Sequence, residues 1–216
     1  SKSARDVLLI DLDPQAHLTD GLGIEVNEDM KTVYELLKVE AEIDEVLVDR
    51  GNEIVGSLKV IPSSIDLASA DLEFAGVFGR ETLLKEAMKK LKGFDFVLID
   101  CPPSMGLLTV NALVAVKEVF VVLQTEYYSL QGTSKLMDTV DLVKKRFNKW
   151  LHVSGVMATC YDHRKKLHRE VFTQIREYFG EKVFNTPIRN NVALAEAPGY
   201  GKSIFEYKHG SYGAHD

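Results

Sequence analysis

Apolar runs along this chain stop abruptly at carboxylates, and two of them share one design. Val7-Leu8-Leu9-Ile10 leads into Asp11-Leu12-Asp13-Pro14, and Phe96-Val97-Leu98-Ile99 leads into Asp100-Cys101-Pro102-Pro103. Short apolar runs ended by proline predict buried strands, each delivering an acid to one edge of a sheet. Leu58-Lys59-Val60-Ile61-Pro62, Val119-Phe120-Val121-Val122-Leu123 and residues 153–159 predict three more strands, with a short edge element over 183–186. Between them, apolar positions recur at helical spacing over 32–37, 43–48, 81–91, 106–116, 130–147 and 193–197. Asn27 and Asp44 are the plausible starts of the first two helices, and residues 16–23, polar and glycine-rich, predict a mobile loop.

Strands alternating with helices predict a parallel α/β sheet, and 216 residues suit a single domain spanning 1–216. The stripe Leu83, Leu84, Ala87, Met88 and Leu91 is packing, not a site. Asp100 on its own reads equally as a helix N-cap or as a carboxylate placed to hold Mg²⁺ through water. With Asp11 and Asp13 delivered toward the same edge, three acids repel one another unless a cation compensates them. A metal and polyphosphate site is the economical reading.

Charge and cysteine usage narrow the classes. A formal net charge of −6 excludes a polycation built to coat nucleic acid, so any DNA binding needs a local patch. Lys144-Lys145-Arg146 ends the long helix, where cations complement its dipole. The stretch Tyr161-Asp162-His163-Arg164-Lys165-Lys166-Leu167-His168-Arg169 holds more base than a helix start calls for, so phosphate contacts are a candidate role. Cys101 and Cys160 read as small buried residues of a reducing compartment, without zinc-ligand spacing. No apolar run is long enough to span a bilayer, and a cytoplasmic protein is the default.

The spellings Leu9-Ile10-Asp11-Leu12-Asp13-Pro14-Gln15 and Asp95-Phe96-Val97-Leu98-Ile99-Asp100-Cys101-Pro102-Pro103-Ser104 resemble those of ParA-type, Soj-like DNA-partitioning ATPases of the deviant Walker, MinD/ParA group. The resemblance continues through Gln124-Thr125-Glu126-Tyr127-Tyr128 and Asn191-Val192-Ala193-Leu194-Ala195-Glu196-Ala197-Pro198, covering nearly all of the chain. It implies a P-loop NTPase-like fold, a mostly parallel doubly wound sheet with helices on both faces. It further implies ATP and Mg²⁺ as cofactors, dimerisation on ATP, non-specific DNA binding on the nucleoid, a ParB-like stimulatory partner and no membrane partner.

Within that resemblance Asp13 matches the carboxylate that orients the attacking water, with Asp11 beside it, and Asp100 matches the acid that holds Mg²⁺ through water. Residues 16–23 match the switch I region, where His17 reads as a solvated loop residue. Pro187 and Asn191 match the adenine pocket, and Arg164 an arginine near the nucleotide and the dimer interface. Lys145, Lys165, Lys166 and Arg169 are the DNA-contact candidates. The sequence departs from the family at two places. No G-x-x-x-x-G-K-[ST] phosphate loop occurs in these residues, so the expectation is a piece of a longer protein, incomplete at its N-terminus. Gly180, Gly210 and Tyr212 stand where relatives carry bases. A non-catalytic binding module and a MinD-like positioning ATPase are the alternative readings.

Overall fold

The computed structural model describes residues 5–50 and 56–216, and it forms two compact units, Ser1–Ala115 and Val116–Asp216. The first holds a four-stranded sheet of order β2-β3-β1-β4, made of β1 (Arg5–Asp11), β2 (Val48–Asp49), β3 (Gly56–Ile61) and β4 (Phe96–Asp100). β1 pairs parallel with both β3 and β4, and only the two-residue β2 runs antiparallel. The parallel reading of the apolar runs is thereby borne out.

The register places Leu8 beside Val97 and Ile10 beside Ile99, so these four side chains share one face of the sheet. That face carries the main core. α2 (Val33–Leu37), α4 (Leu83–Met88) and α5 (Leu107–Ala115) contribute Val33, Leu36, Leu37, Leu84, Leu108 and Ala112 to it. The stripe read from 81–91 packs as expected, with Leu84 fully buried and Leu83, Ala87, Met88 and Leu91 against the cluster. Asn111 joins the two helices. Its Oδ1 accepts the Leu84 N–H at 3.1 Å and its amide donates to the carbonyls of Arg80 and Leu107.

Several local expectations fail for short elements. α1 (His17–Gly21) replaces part of the expected mobile loop, because Thr19 is tied to Asp11 across eight residues. The helix expected over 43–48 is a single 3₁₀ turn, Ile43–Glu45, followed by β2. Asp44 does not start it, since Glu42 and Glu45 form a capping box there. Asn27 likewise accepts the Asp29 N–H in a turn, and α2 begins later, under a Thr32–Glu35 capping box. The remaining helix of this unit is α3 (Ala70–Glu73).

The second unit is built on β5 (Glu118–Gln124) and β6 (His152–Thr159), which pair in parallel. α6 (Gln131–Arg146) connects them and α7 (Lys166–Phe179) follows β6. In place of the edge strand expected over 183–186, an isolated bridge pairs Val156 with Val183. Gly155 in β6 lies under a stacked pair of rings, Phe120 and Phe184, whose centroids are 6.1 Å apart. A Cβ there would stand 2.8 Å from Phe184 and 2.9 Å from Phe120, so the glycine makes room for the stack. The chain continues into α8 (Val192–Glu196), α9 (Ile204–Lys208) and α10 (Tyr212–His215).

The opposite face of β4 is open. Phe96 and Leu98 are 55% and 52% exposed, and β4 is the end strand of its sheet. Exposed apolar residues on the end strand of a sheet favour association. The 216-residue chain is expected to self-associate at micromolar concentration in light scattering. The double substitution Phe96→Thr with Leu98→Thr shifts it toward monomer. A monodisperse wild-type monomer would show that this face is not adhesive.

Candidate functional site

The two acid-bearing strands end side by side. Asp11 and Asp100 are register partners, and the Leu12 N–H donates to the Asp100 carbonyl at 2.9 Å. Asp11 is fully buried and its carboxylate is committed: Oδ1 accepts the Asp13 N–H at 3.1 Å, and Oδ2 accepts the Thr19 N–H at 2.9 Å and the Thr19 hydroxyl at 2.7 Å. The Thr19 hydroxyl oxygen in turn accepts the Ser63 N–H at 3.0 Å, fastening the loop after β3 to the same carboxylate. Asp11 therefore acts on the backbone of residues 13–19. Two acidic neighbours share this strand edge.

Asp13 and Asp100 are those neighbours. Asp13 is half-buried on the loop and accepts the Gln15 N–H at 2.9 Å. Asp100 is not a helix N-cap, which removes that reading of the sequence. α5 begins at Leu107, and its N–H donates to the Asp71 carboxylate at 3.1 Å. Desolvation raises the Asp100 carboxyl above the usual range, with the negative charges of Asp11 and Asp13 adding to it and exposed His17 opposing it. A cation beside Asp100 would relieve that repulsion, so the residues present fit Mg²⁺. Among the described residues no cluster of three His, Cys, Asp or Glu could hold a metal outright. A magnesium ion here would need water and phosphate oxygens to complete its shell. Cys101, beside Asp100, has its thiol pushed up to about 12 by burial and then by the same acids, so it is neither thiolate nor ligand at neutral pH.

In the second unit the candidates occupy two adjoining loops. The Tyr161 N–H donates to the Ile188 carbonyl, and the Asn190 N–H to the Tyr161 carbonyl, so the loop of Pro187 to Asn191 lies along the end of β6. Asn191 caps α8 through Oδ1 on the Ala193 N–H at 2.9 Å. Arg164 forks onto Asp162, at 3.0 and 2.9 Å, and that guanidinium holds the Asp162 carboxyl well below the usual range. His168 is buried, its Nδ1 accepting the Asp162 N–H and facing the Thr125 hydroxyl at 3.2 Å. It is an internal strut and no part of a basic surface. Nothing local in the sequence separates it from exposed His163.

The basic candidates do not form one surface. Lys165, Lys166 and Arg169 stand at the start of α7, beyond the C-terminal end of β6. Lys145 lies at the end of α6, beside the beginning of β6, where the His152 N–H meets the Lys117 carbonyl. The eight residues of β6 separate the two groups by roughly 26 Å at ~3.3 Å per residue. Lys166 pairs with Glu170 at 3.4 Å, and Arg169 donates to the His163 carbonyl at 2.6 Å.

An α/β sheet with acids at its strand ends, beside a loop fastened by one of them, is the arrangement of a nucleotide-binding domain. The model of an AAA domain matches residues 1–153. Soj of Bacillus subtilis strain 168, a sporulation initiation inhibitor protein, is 43% identical over 96% of this chain and 81% of its own. The chromosome-partitioning ATPase Soj of Treponema pallidum is 44% identical over 95% of this chain and 79% of its own. Among solved structures, Mycobacterium smegmatis cobyrinic acid a,c-diamide synthase with bound ADP and magnesium shares 33% identity, with TM-score 0.79, over 96% of this chain and 85% of that one. Apo McdA, at 22% identity and TM-score 0.85 over 95% of this chain and 82% of that one, shares the fold. The chain belongs to the Soj/ParA family of chromosome-partitioning ATPases.

Two measurements check the site. Thr19→Val removes both hydrogen bonds of the hydroxyl and is expected to cost about 1–3 kcal/mol in denaturant unfolding, because the Asp11 carboxylate and the Ser63 N–H lose a partner in a buried place. For Asp100 the raised carboxyl fixes the sign. Deprotonation costs more in the folded state, so stability is lost as pH rises from the ordinary carboxylate range through the raised value. Asp100→Asn is thus expected to melt higher than wild type at pH 7 in metal-free buffer, with the advantage vanishing at acidic pH. An equal or lower midpoint at pH 7 would contradict the repulsion.

Proposed function

We propose that this protein is a partitioning ATPase using ATP and Mg²⁺, with Asp13 orienting the attacking water and Asp100 holding Mg²⁺ through water. Asp11 acts by setting the loop that carries Asp13. The observation that carries this reading is the register pairing of Asp11 with Asp100, which puts Asp13 and Asp100 at one strand edge while Asp11 is spent on the loop. Pro187 and Asn191 are assigned to the base, and Arg164 to the nucleotide or a dimer contact once Asp162 releases it. ATP-dependent dimerisation, non-specific DNA binding through Lys165, Lys166 and Arg169, and stimulation by a ParB-like partner complete the proposal. The names of the relatives and the ADP–magnesium state of one neighbour support it.

The second reading is a binding module without turnover; the Gly-rich Lys loop that cradles phosphates does not occur within residues 1–216. Calorimetric titration separates the two. ATP with Mg²⁺ is expected to bind this chain weakly, and micromolar affinity would mean that another segment does the work of that loop. In any form that hydrolyses ATP, Asp13→Ala is expected to reduce turnover by about a hundredfold or more with nucleotide affinity kept. Unchanged turnover would remove Asp13 from its role.

The DNA proposal has its own test in the ATP-loaded protein. Reversing charge at Lys165 and Lys166 should weaken binding equally for unrelated duplexes and flatten its salt dependence, since phosphate contacts carry no sequence information. Full retained affinity would leave those lysines a solvated face.

A further inference from the structure

The end of α6 and the turn after it carry a feature that the nucleotide site does not use. From Leu142 to His152 the sequence holds four cations, Lys144, Lys145, Arg146 and Lys149, and no acid, in a chain whose net charge is −6. All four are exposed, and among the described residues none is in an ion pair. Three large apolar side chains stand among them: Leu142, Phe147 and Trp150 are 49%, 42% and 66% exposed.

The backbone that presents them is held firmly. Leu151 is fully buried and Asn148 nearly so, its amide donating to the Val116 carbonyl. The Phe147 N–H closes on the Val143 carbonyl at 2.8 Å, and the Leu151 N–H on the Asn148 carbonyl at 3.1 Å. With 148 and 151 turned inward, Phe147, Lys149 and Trp150 point out, and the Lys149 ammonium lies 5.1 Å from the centre of the Trp150 ring. Asp138 and Asp141, on the same helix before the cluster, and Glu118, at the start of β5, are acids near it in the chain and the sheet.

Dipole complementation accounts for the cations of the last helical turn. It accounts neither for Lys149 nor for the apolar side chains. Duplex DNA would reward the cations and leave Leu142, Phe147 and Trp150 in water. The headgroup region of an anionic bilayer takes both, since tryptophan settles at that depth and each Lys or Arg near the surface is attracted to acidic lipid. We propose that this end of α6 is a docking surface for anionic phospholipid bilayer, reached peripherally. Among the described residues no helix is long and apolar enough to cross a membrane, and surface docking needs none. The surface is independent of the proposed ATPase chemistry. Neither apolar insertion of three side chains nor four surface cations suffices alone, so both signals are required.

Trp150 is the sole tryptophan of the chain, so its emission reads the surface directly. Vesicles of phosphatidylcholine containing phosphatidylglycerol, titrated into the 216-residue chain at low salt, are expected to shift that emission to the blue with a saturable curve. Pure phosphatidylcholine vesicles are expected to give no shift. Lys144→Glu with Lys145→Glu, folded by circular dichroism, should lower the partition coefficient about tenfold or more. Phe147→Ser should lower it as well, and Lys165→Glu with Lys166→Glu should not. Trp150→Ala, followed by vesicle co-sedimentation, should bind less than wild type. Absence of a shift with acidic vesicles overturns the proposal, as does an equal shift with neutral ones. So does full binding by the Lys144 and Lys145 double variant. Saturable quenching by duplex DNA without any vesicle response would make this a nucleic-acid surface instead.

Discussion

The buried carboxylate of Asp11 is the interaction on which the first unit's site depends. A fully desolvated acid is costly unless its oxygens are hydrogen-bonded, and here three donors from residues 13 and 19 supply the bonds. The constraint works in both directions. The acid is tolerable in the interior only while the loop is wrapped around it, and the loop has a defined course only because the acid is there. Through the Thr19 hydroxyl the same bond chain reaches Ser63, so the segments following β1 and β3 are placed by one group. Asp13 stands in its position because its own N–H belongs to that network.

This division of labour separates two residues that look alike in sequence. Asp11 and Asp13 are spelled within one short motif, yet one is fully buried and spent on backbone and the other is accessible. The parallel register then adds Asp100 from the neighbouring strand, where desolvation and the charges of Asp11 and Asp13 disfavour its ionisation. A cation placed there would offset the repulsion among these carboxylates. Asp71 holds the start of α5, so the helix that follows β4 does not compete for Asp100.

Much of this was legible in the chain itself, and the reason is physical. Strands such as β1, β4 and β5 announce themselves as continuous apolar runs, and in β1 and β4 an acid and proline close the run, although Phe96, Leu98, Phe120 and Val122 lie exposed. α6 is long enough for its period to show. The misreadings fall on short elements. α1 exists because of a bond from Thr19 to a carboxylate eight residues away, and no local pattern encodes it. The helix expected over 43–48 is instead the 3₁₀ turn Ile43–Glu45 and the first residue of β2, since a single turn and a brief strand have too few positions to display a period. His168 lies buried within a basic stretch, and its depth is not written in its neighbours. Lys145 and Lys165 are close in sequence terms but lie at opposite ends of β6, a separation only the strand's direction reveals.

The stacked rings over Gly155 have an evolutionary side. Phe120 comes from β5, Gly155 from β6 and Phe184 from the segment beyond α7, three places far apart in the chain that share one small volume. A methyl group at 155 would need one ring to shrink or swing away, and a smaller ring would leave a void that a larger residue at 155 could fill. Drift at these three positions is therefore correlated. Among descendants of this sequence a side chain gained at 155 should travel with a lost ring at 120 or 184, and the trio forms a signature that pairwise identity alone would not reveal.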